Sequence, residues 1–220
     1  LPVGYREVEW IGSTGQQSIN LGFAPDKDKT GLVMSFNSGT YTDTTAFFCT
    51  GWGGDRYLLC QMSKKYMFFG SGNSVADACP GCDLSLTIVP DGTGNGTLTI
   101  DKPDDPEWKP TPATVGLSCS GNLQIFGAGG GHMSTFRLYR LTITERTVTP
   151  AGEDGEEETV TQRVVHDFYP CYREADGEIG LYDVLAADPV AAFKADANKA
   201  ATKFEKGEPV RGQDGLAVLG

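Results

Sequence analysis

Aromatic rings beside charged side chains on turns are the residues of this chain best suited to recognition chemistry. Trp52 lies in the glycine-rich stretch TGWGGDRY, with Asp55, Arg56 and Tyr57 close behind it. An exposed indole stacks on the apolar face of a sugar ring, while carboxylate and guanidinium groups bond the hydroxyls. Trp52, Asp55, Arg56 and Tyr57 therefore form one candidate ligand-binding set. Trp108, in the proline-stiffened DDPEWKP, is a second candidate. The plainer alternative for either tryptophan is an indole folded over a sheet edge, which needs no ligand.

Catalytic sets are weaker. Glu7 and Glu9 share one face of a strand, as do the nucleophile and acid of sandwich-type glucan hydrolases. Those enzymes carry a third carboxylate a few residues on, where this chain reads WIGSTG. His132 and His166 are far apart, and no GxSxG-like elbow accompanies them. The GAGGG run at 127–131 precedes no helix whose N-terminus could hold a phosphate, so a tight turn or close strand approach explains it. No catalytic residue is assigned.

The six cysteines supply no zinc site, because CPGC at 79–82 has no second CxxC partner. That motif reads as buried thiols or a local turn disulfide. Cys49 and Cys60 end two apolar runs around a glycine-rich turn, and could face each other across a hairpin and form a disulfide. Cys119 and Cys171 sit among strand-like apolar residues and read as small hydrophobes. Asp101, Asp104, Asp105 and Glu107 could hold calcium but lack the spacing of a calcium loop. No metal or cofactor is assigned.

Short strands must position these groups. Ile19, Leu21 and Phe23 alternate with polar residues, as do Leu32, Met34 and Phe36, and again Leu84, Leu86 and Ile88. The turn PDGTGNG joins the last set to a partner strand over 97–100, which predicts a hairpin. Shorter strands are expected over 46–49, 56–60, 65–69 and 122–126. A parity shift between Leu138 and Leu141 predicts a β-bulge. The acidic PAGEDGEEE reads as the solvated tip of a hairpin near 147–161, between arms at 146–149 and 159–165. In DFYPCYREADGEIGLYD, residues 167–183, the side chains of Arg173, Asp176 and Asp183 are expected to form ion pairs that lock the turn ADGE.

Bulk properties agree with one large all-β domain spanning 1–220. Apolar residues at 39% and charged residues at 21% allow a packed core, and 29 glycines with 12 prolines give frequent turns. The net charge, 18 − 29 = −11, argues against nucleic acid or an anionic membrane as partner. No apolar run approaches the roughly 20 residues that cross a bilayer. LPVGYREVEW has neither the basic start nor the apolar core of a signal peptide. Without an initiator Met, the chain reads as a mature product or an excised domain.

Two stretches resemble a known family. LPVGYREVEWIGSTGQQSINLGF is similar to the opening of concanavalin A-like (laminin G-like) jelly-roll domains of gut bacterial surface proteins and phage tail proteins. VVHDFYPCYREADGEIGLYDVL resembles their closing motif. The resemblance implies two facing antiparallel sheets in a jelly-roll sandwich, with opening and closing segments joined near one edge, and Trp10 as a structural aromatic. It places Phe193, Phe204 and Gly207 in the family's closing run, so an irregular or extended tail is expected from about 186. A helix over 189–206 is the alternative, and GLAVLG at 215–220 reads as one more strand. The shared motifs mark no catalytic or ligand set. The function expected is a non-catalytic, lectin-like carbohydrate- or surface-binding module of a larger extracellular, cell-surface or virion protein, oligomeric within its assembly. A structural or protein-binding module of a phage tail or adhesin is the second expectation, and a glycan-cleaving enzyme the third.

Overall fold

The computed structural model describes residues 1–39, 45–50, 60–62, 66–69, 73–77, 79–110, 112–119, 121–127, 134–150 and 158–210. Nearly all of its regular structure is strand. β1 (Tyr5–Glu7), β2 (Ile11–Gly12), β3 (Ile19–Asn20) and β4 (Thr30–Asn37) come first. β5 (Thr45–Cys49), β6 (Cys60–Met62), β7 (Tyr66–Phe69) and β8 (Asn73–Asp77) follow. Next are β9 (Asp83–Pro90), β10 (Asn95–Asp101), β11 (Ala113–Gly116) and β12 (Gln124–Ile125). The long β13 (Arg137–Thr149) and β14 (Thr159–Arg173) lead to β15 (Ile179–Asp183), α1 (Pro189–Ala192), β16 (Phe193–Lys194) and β17 (Glu205–Lys206).

The strands make two antiparallel sheets. The larger has the order β11-β10-β9-β4-β13-β14-β15-β16, with β1 added to β14, β2 to β13 and β17 to β2. The smaller runs β3-β12-β5-β6-β7-β8. One apolar core joins them: Leu32, Met34 and Phe36 of the larger sheet cluster with Phe47, Phe48 and Ile125 of the smaller. Alternation explains this. In β9, Leu84, Leu86 and Ile88 are buried while Ser85, Thr87 and Val89 take the more open face. Phe136 meets Phe47 edge-on at 5.1 Å and stacks on Phe126 at 4.4 Å. Such ring pairs add about 0.5–1.5 kcal/mol each beyond their area.

The predicted hairpin is β9–β10, with Leu98 opposite Ile88. The predicted bulge falls between Leu138 and Arg140 of β13. The arms flanking the acidic run pair as β13 and β14, from Thr149 opposite Thr159 inward. Beyond Leu141 and Phe168 these two strands part, and residues 5–12 fill the gap. β2 lies against β13, with Ile11 opposite Leu138, and β1 lies against β14, with Glu7 opposite Cys171. Lys206 of β17 then pairs with Ile11. The two stretches that carry the family resemblance are thus neighbours.

Some expectations change. The strands expected over 18–23 and 122–126 contract to β3 and β12, because beyond them the bonds fall out of register, Leu21 N donating to Leu123 O and Leu123 N to Phe23 O. The tail is extended or irregular except for α1, one turn capped by the Asp188 side chain accepting from Val190 N. Cys49 is not bridged to Cys60: its buried thiol donates to the Gly127 carbonyl at 3.3 Å, and register sets Phe48, not Cys49, opposite Cys60. Cys79 and Cys82 form a disulfide in the crossing from β8 to β9. The strand expected over 56–60 lies outside the described residues save Cys60, as does GLAVLG. Among the described residues no helix is long and apolar enough to cross a membrane.

Candidate functional site

A second irregularity in β14 creates the most site-like feature. Pairing with β13 shifts between Ile143 opposite His166 and Thr144 opposite Val164, so Val165 is the extra residue of a bulge. His166 and Phe168 then sit opposite core residues Ile143 and Leu141, which directs both towards the smaller sheet. The His166 ring lies 5.8 Å from Phe168, nearly parallel, and 5.2 Å from Phe23 beyond β3. Between the sheets at this rim is a groove of about 390 Å³, lined among others by Phe23, His166, Phe168, Asp183 and Lys194.

Asp183 fixes the histidine. It is 3% exposed, and its Oδ2 lies 2.6 Å from His166 Nδ1. Its Oδ1 accepts from Asp167 N at 3.0 Å and Leu185 N at 3.1 Å. A buried carboxylate needs such donors, since an unpaired charge there is costly. The bonding leaves Nε2 as the imidazole nitrogen available to a ligand. Opposite Leu181, whose side chain is buried, the pairing of β15 with β16 sets Lys194 on the groove side. Its Nζ lies 3.6 Å from where a Cβ on Gly22 would stand, which places the ammonium beside the loop after β3.

The closing stretch resolves differently from expectation. Arg173 donates to both Asp176 oxygens, at 2.6 and 3.2 Å to Oδ2 and 3.0 Å to Oδ1, locking the turn as expected. These bonds, chiefly, pull the Asp176 carboxyl down to about 2. Asp183 takes no part in that lock. It stands at the far end of β15, opposite Phe168, and serves His166 instead.

On the outer face of the larger sheet Arg140 grips Asp167 at 3.0 and 2.6 Å and covers the Tyr169 ring at 4.5 Å. Cys171 is buried there with Tyr182 and Ala192; burial first, and Glu7 second, push its thiol up to about 12. Glu7, opposite Cys171, therefore lies away from the rim groove, and Glu9 is exposed. Trp10 is half-buried, with the Arg137 guanidinium 4.3 Å above its ring.

Trp108 is half-buried, and its Nε1 donates to the Ile100 carbonyl at 3.2 Å, beyond the end of β11. Its indole is folded against the sheet edge. In the acidic cluster Asp105 bonds Lys102 at 2.9 Å, which lowers its carboxyl. No group of three or more His, Cys, Asp or Glu able to hold a metal occurs among the described residues. Trp52, Asp55, Arg56, Tyr57 and His132 lie outside the described residues.

The His166–Asp183 pair was not foreseen, although the sequence holds a signal for it. Counting outward from the ADGE turn sets Phe168 opposite Asp183 and leaves His166 one same-face step away. What fold and site define is an antiparallel two-sheet protein with a carboxylate-fixed histidine in a rim groove. Compared with known proteins, the chain matches no family model and no curated protein sequence.

Proposed function

We propose that this protein is a non-catalytic, concanavalin A-like jelly-roll module that binds carbohydrate or a host surface, displayed outside the cell or on a virion as part of a larger protein. The antiparallel two-sheet architecture supports this reading, as do the pairing of the opening and closing stretches through β1–β14 and the return of the tail to the opening stretch through β2–β17. The observation that carries it is the rim groove. Phe23 and Phe168 give it apolar walls, and His166 and Lys194 give it polar contacts at set positions, the usual composition of a small-ligand site. The described lining offers His166 no hydroxyl or thiol to activate, which supports the non-catalytic reading.

A glycan array tests it. Wild-type protein is expected to bind, and Lys194→Met to lose at least tenfold in affinity. Trp52→Ala and Trp108→Ala, run beside it, separate the groove from the turns. Absence of binding to any glycan refutes the reading. A protein-binding module is the second reading, favoured by Val148, Val160 and Val164, which stand 38–48% exposed on the projecting β13–β14 arms.

A further inference from the structure

We propose that the rim groove selects an acidic saccharide, taking the sugar carboxylate between Lys194 Nζ and His166 Nε2 while Phe23 carries the ring's apolar face. The inference rests on the glycan-binding reading and narrows it to a ligand class.

Lys194 is the first reason. The chain has 29 acidic residues against 18 basic ones, yet among the described residues this half-buried ammonium forms no ion pair. Its backbone is held by β15, so the side chain rises from a fixed point beside apolar Leu21 and Phe23. A partly desolvated cation in such a place gains from a counter-ion, and charge-assisted bonds are roughly twice as strong as neutral ones.

Of the groove's own carboxylates, one is fully bonded and the other is exposed to solvent. Asp183 is buried behind the imidazole with both oxygens bonded. Asp188, at the rim, accepts from Val190 N at 2.9 Å as the cap of α1. With Nδ1 held by Asp183, Nε2 is the ring nitrogen that faces an incoming ligand. The ligand carboxylate would then lie between the imidazole and the Lys194 ammonium, both of which line the groove. A neutral hexose can use the same walls but leaves the ammonium without a partner.

NMR titration of the ¹⁵N-labelled chain with sodium glucuronate, its methyl ester, glucose and sodium acetate tests this, read at Lys194, His166 and Gly22. Glucuronate is expected to shift all three, with the methyl ester and glucose at least tenfold weaker and acetate weaker still. Lys194→Met is expected to bring glucuronate down to the level of glucose, and His166→Gln to weaken it several-fold while Lys194 still responds. Equal affinity for glucose and glucuronate overturns the acidic class and leaves the glycan reading standing. Acetate binding as tightly as glucuronate overturns the saccharide part. If none of the four probes moves groove signals, the groove assignment fails; array binding then decides whether the module reading fails with it.

Discussion

Asp183 and His166 hold each other across the closing hairpin at 2.6 Å, the carboxylate almost sealed and the imidazole open to the rim groove. One partner is structural and the other is available. Replacing Asp183 by Ala strips a bond from the imidazole and leaves the amides of Asp167 and Leu185 without their acceptor. A loss of about 3 kcal/mol or more is expected from urea unfolding. His166→Gln, which keeps a polar group towards Asp183, is expected to cost less than half as much.

Acid should loosen the ADGE turn late. The Asp176 carboxyl lies at about 2, against an ordinary 3.8, mainly through its bonds with Arg173. A lowered carboxyl stabilises the fold fully above its unfolded value, and that contribution fades as pH drops from about 4 through about 2. Carboxyl-detected NMR titration should place Asp176 at the low value in wild type. In Arg173→Gln it should move back towards 3.8, and a lack of movement refutes the assignment.

Alkali should weaken the fold through two acids on the larger sheet, buried Cys171 and half-buried Tyr139. Burial, ahead of Glu7, raises the Cys171 thiol from 9.0 to about 12. Burial, ahead of its bond to Asp83, raises the Tyr139 hydroxyl from 10.0 to about 12. Groups raised on folding contribute stability below their unfolded values and lose it as pH climbs towards the folded ones. Urea midpoints are therefore expected to fall between pH 9 and 11, and to fall less steeply in Cys171→Ala/Tyr139→Phe. Cys171 should also resist iodoacetamide in the native protein at pH 8 and react in urea.

Gly180 is where the site meets the scaffold. A Cβ there would strike the Lys194 carbonyl oxygen and lie 3.0 Å from the Phe193 ring. Gly180→Ala must push β16 off β15, at about 1–3 kcal/mol. Because Lys194 rides on β16, the same substitution should weaken ligand binding more than an equally destabilising change elsewhere, such as Ile100→Val. Equal affinity in the two variants would count against the groove.

The fold was legible where one strand face is fully buried. Leu84, Leu86 and Ile88 announce β9 because burial enforces period two, and the parity break at Leu138 announces its bulge. β3 and β12 were overdrawn, since apolar alternation outlasts the backbone pairing that defines a strand. The groove was harder to see. It depends on the bulge at Val165, where exposed Val164 beside half-buried Val165 hides the change of face, and on a two-residue strand, β16, too short to leave any period. Aromatic residues on turns drew attention to Trp108. Its indole instead donates to Ile100, a contact that spacing in the sequence cannot reveal.

The placement of residues 5–12 between β13 and β14 also governs when the protein can be completed. Ile11 pairs with Lys206, a separation of 206 − 11 = 195 residues, and Glu7 pairs with Cys171. At about 5–20 residues per second of synthesis, the first strands wait on the order of 10 s or more for their partners to emerge. Closing so long a loop is slow in any case. Until then residues 5–12 have neither β13 nor β14 to pair with. A nascent chain halted before residue 170 should therefore remain protease-sensitive at its N-terminal segment, however well β4, β9 and β10 have already formed.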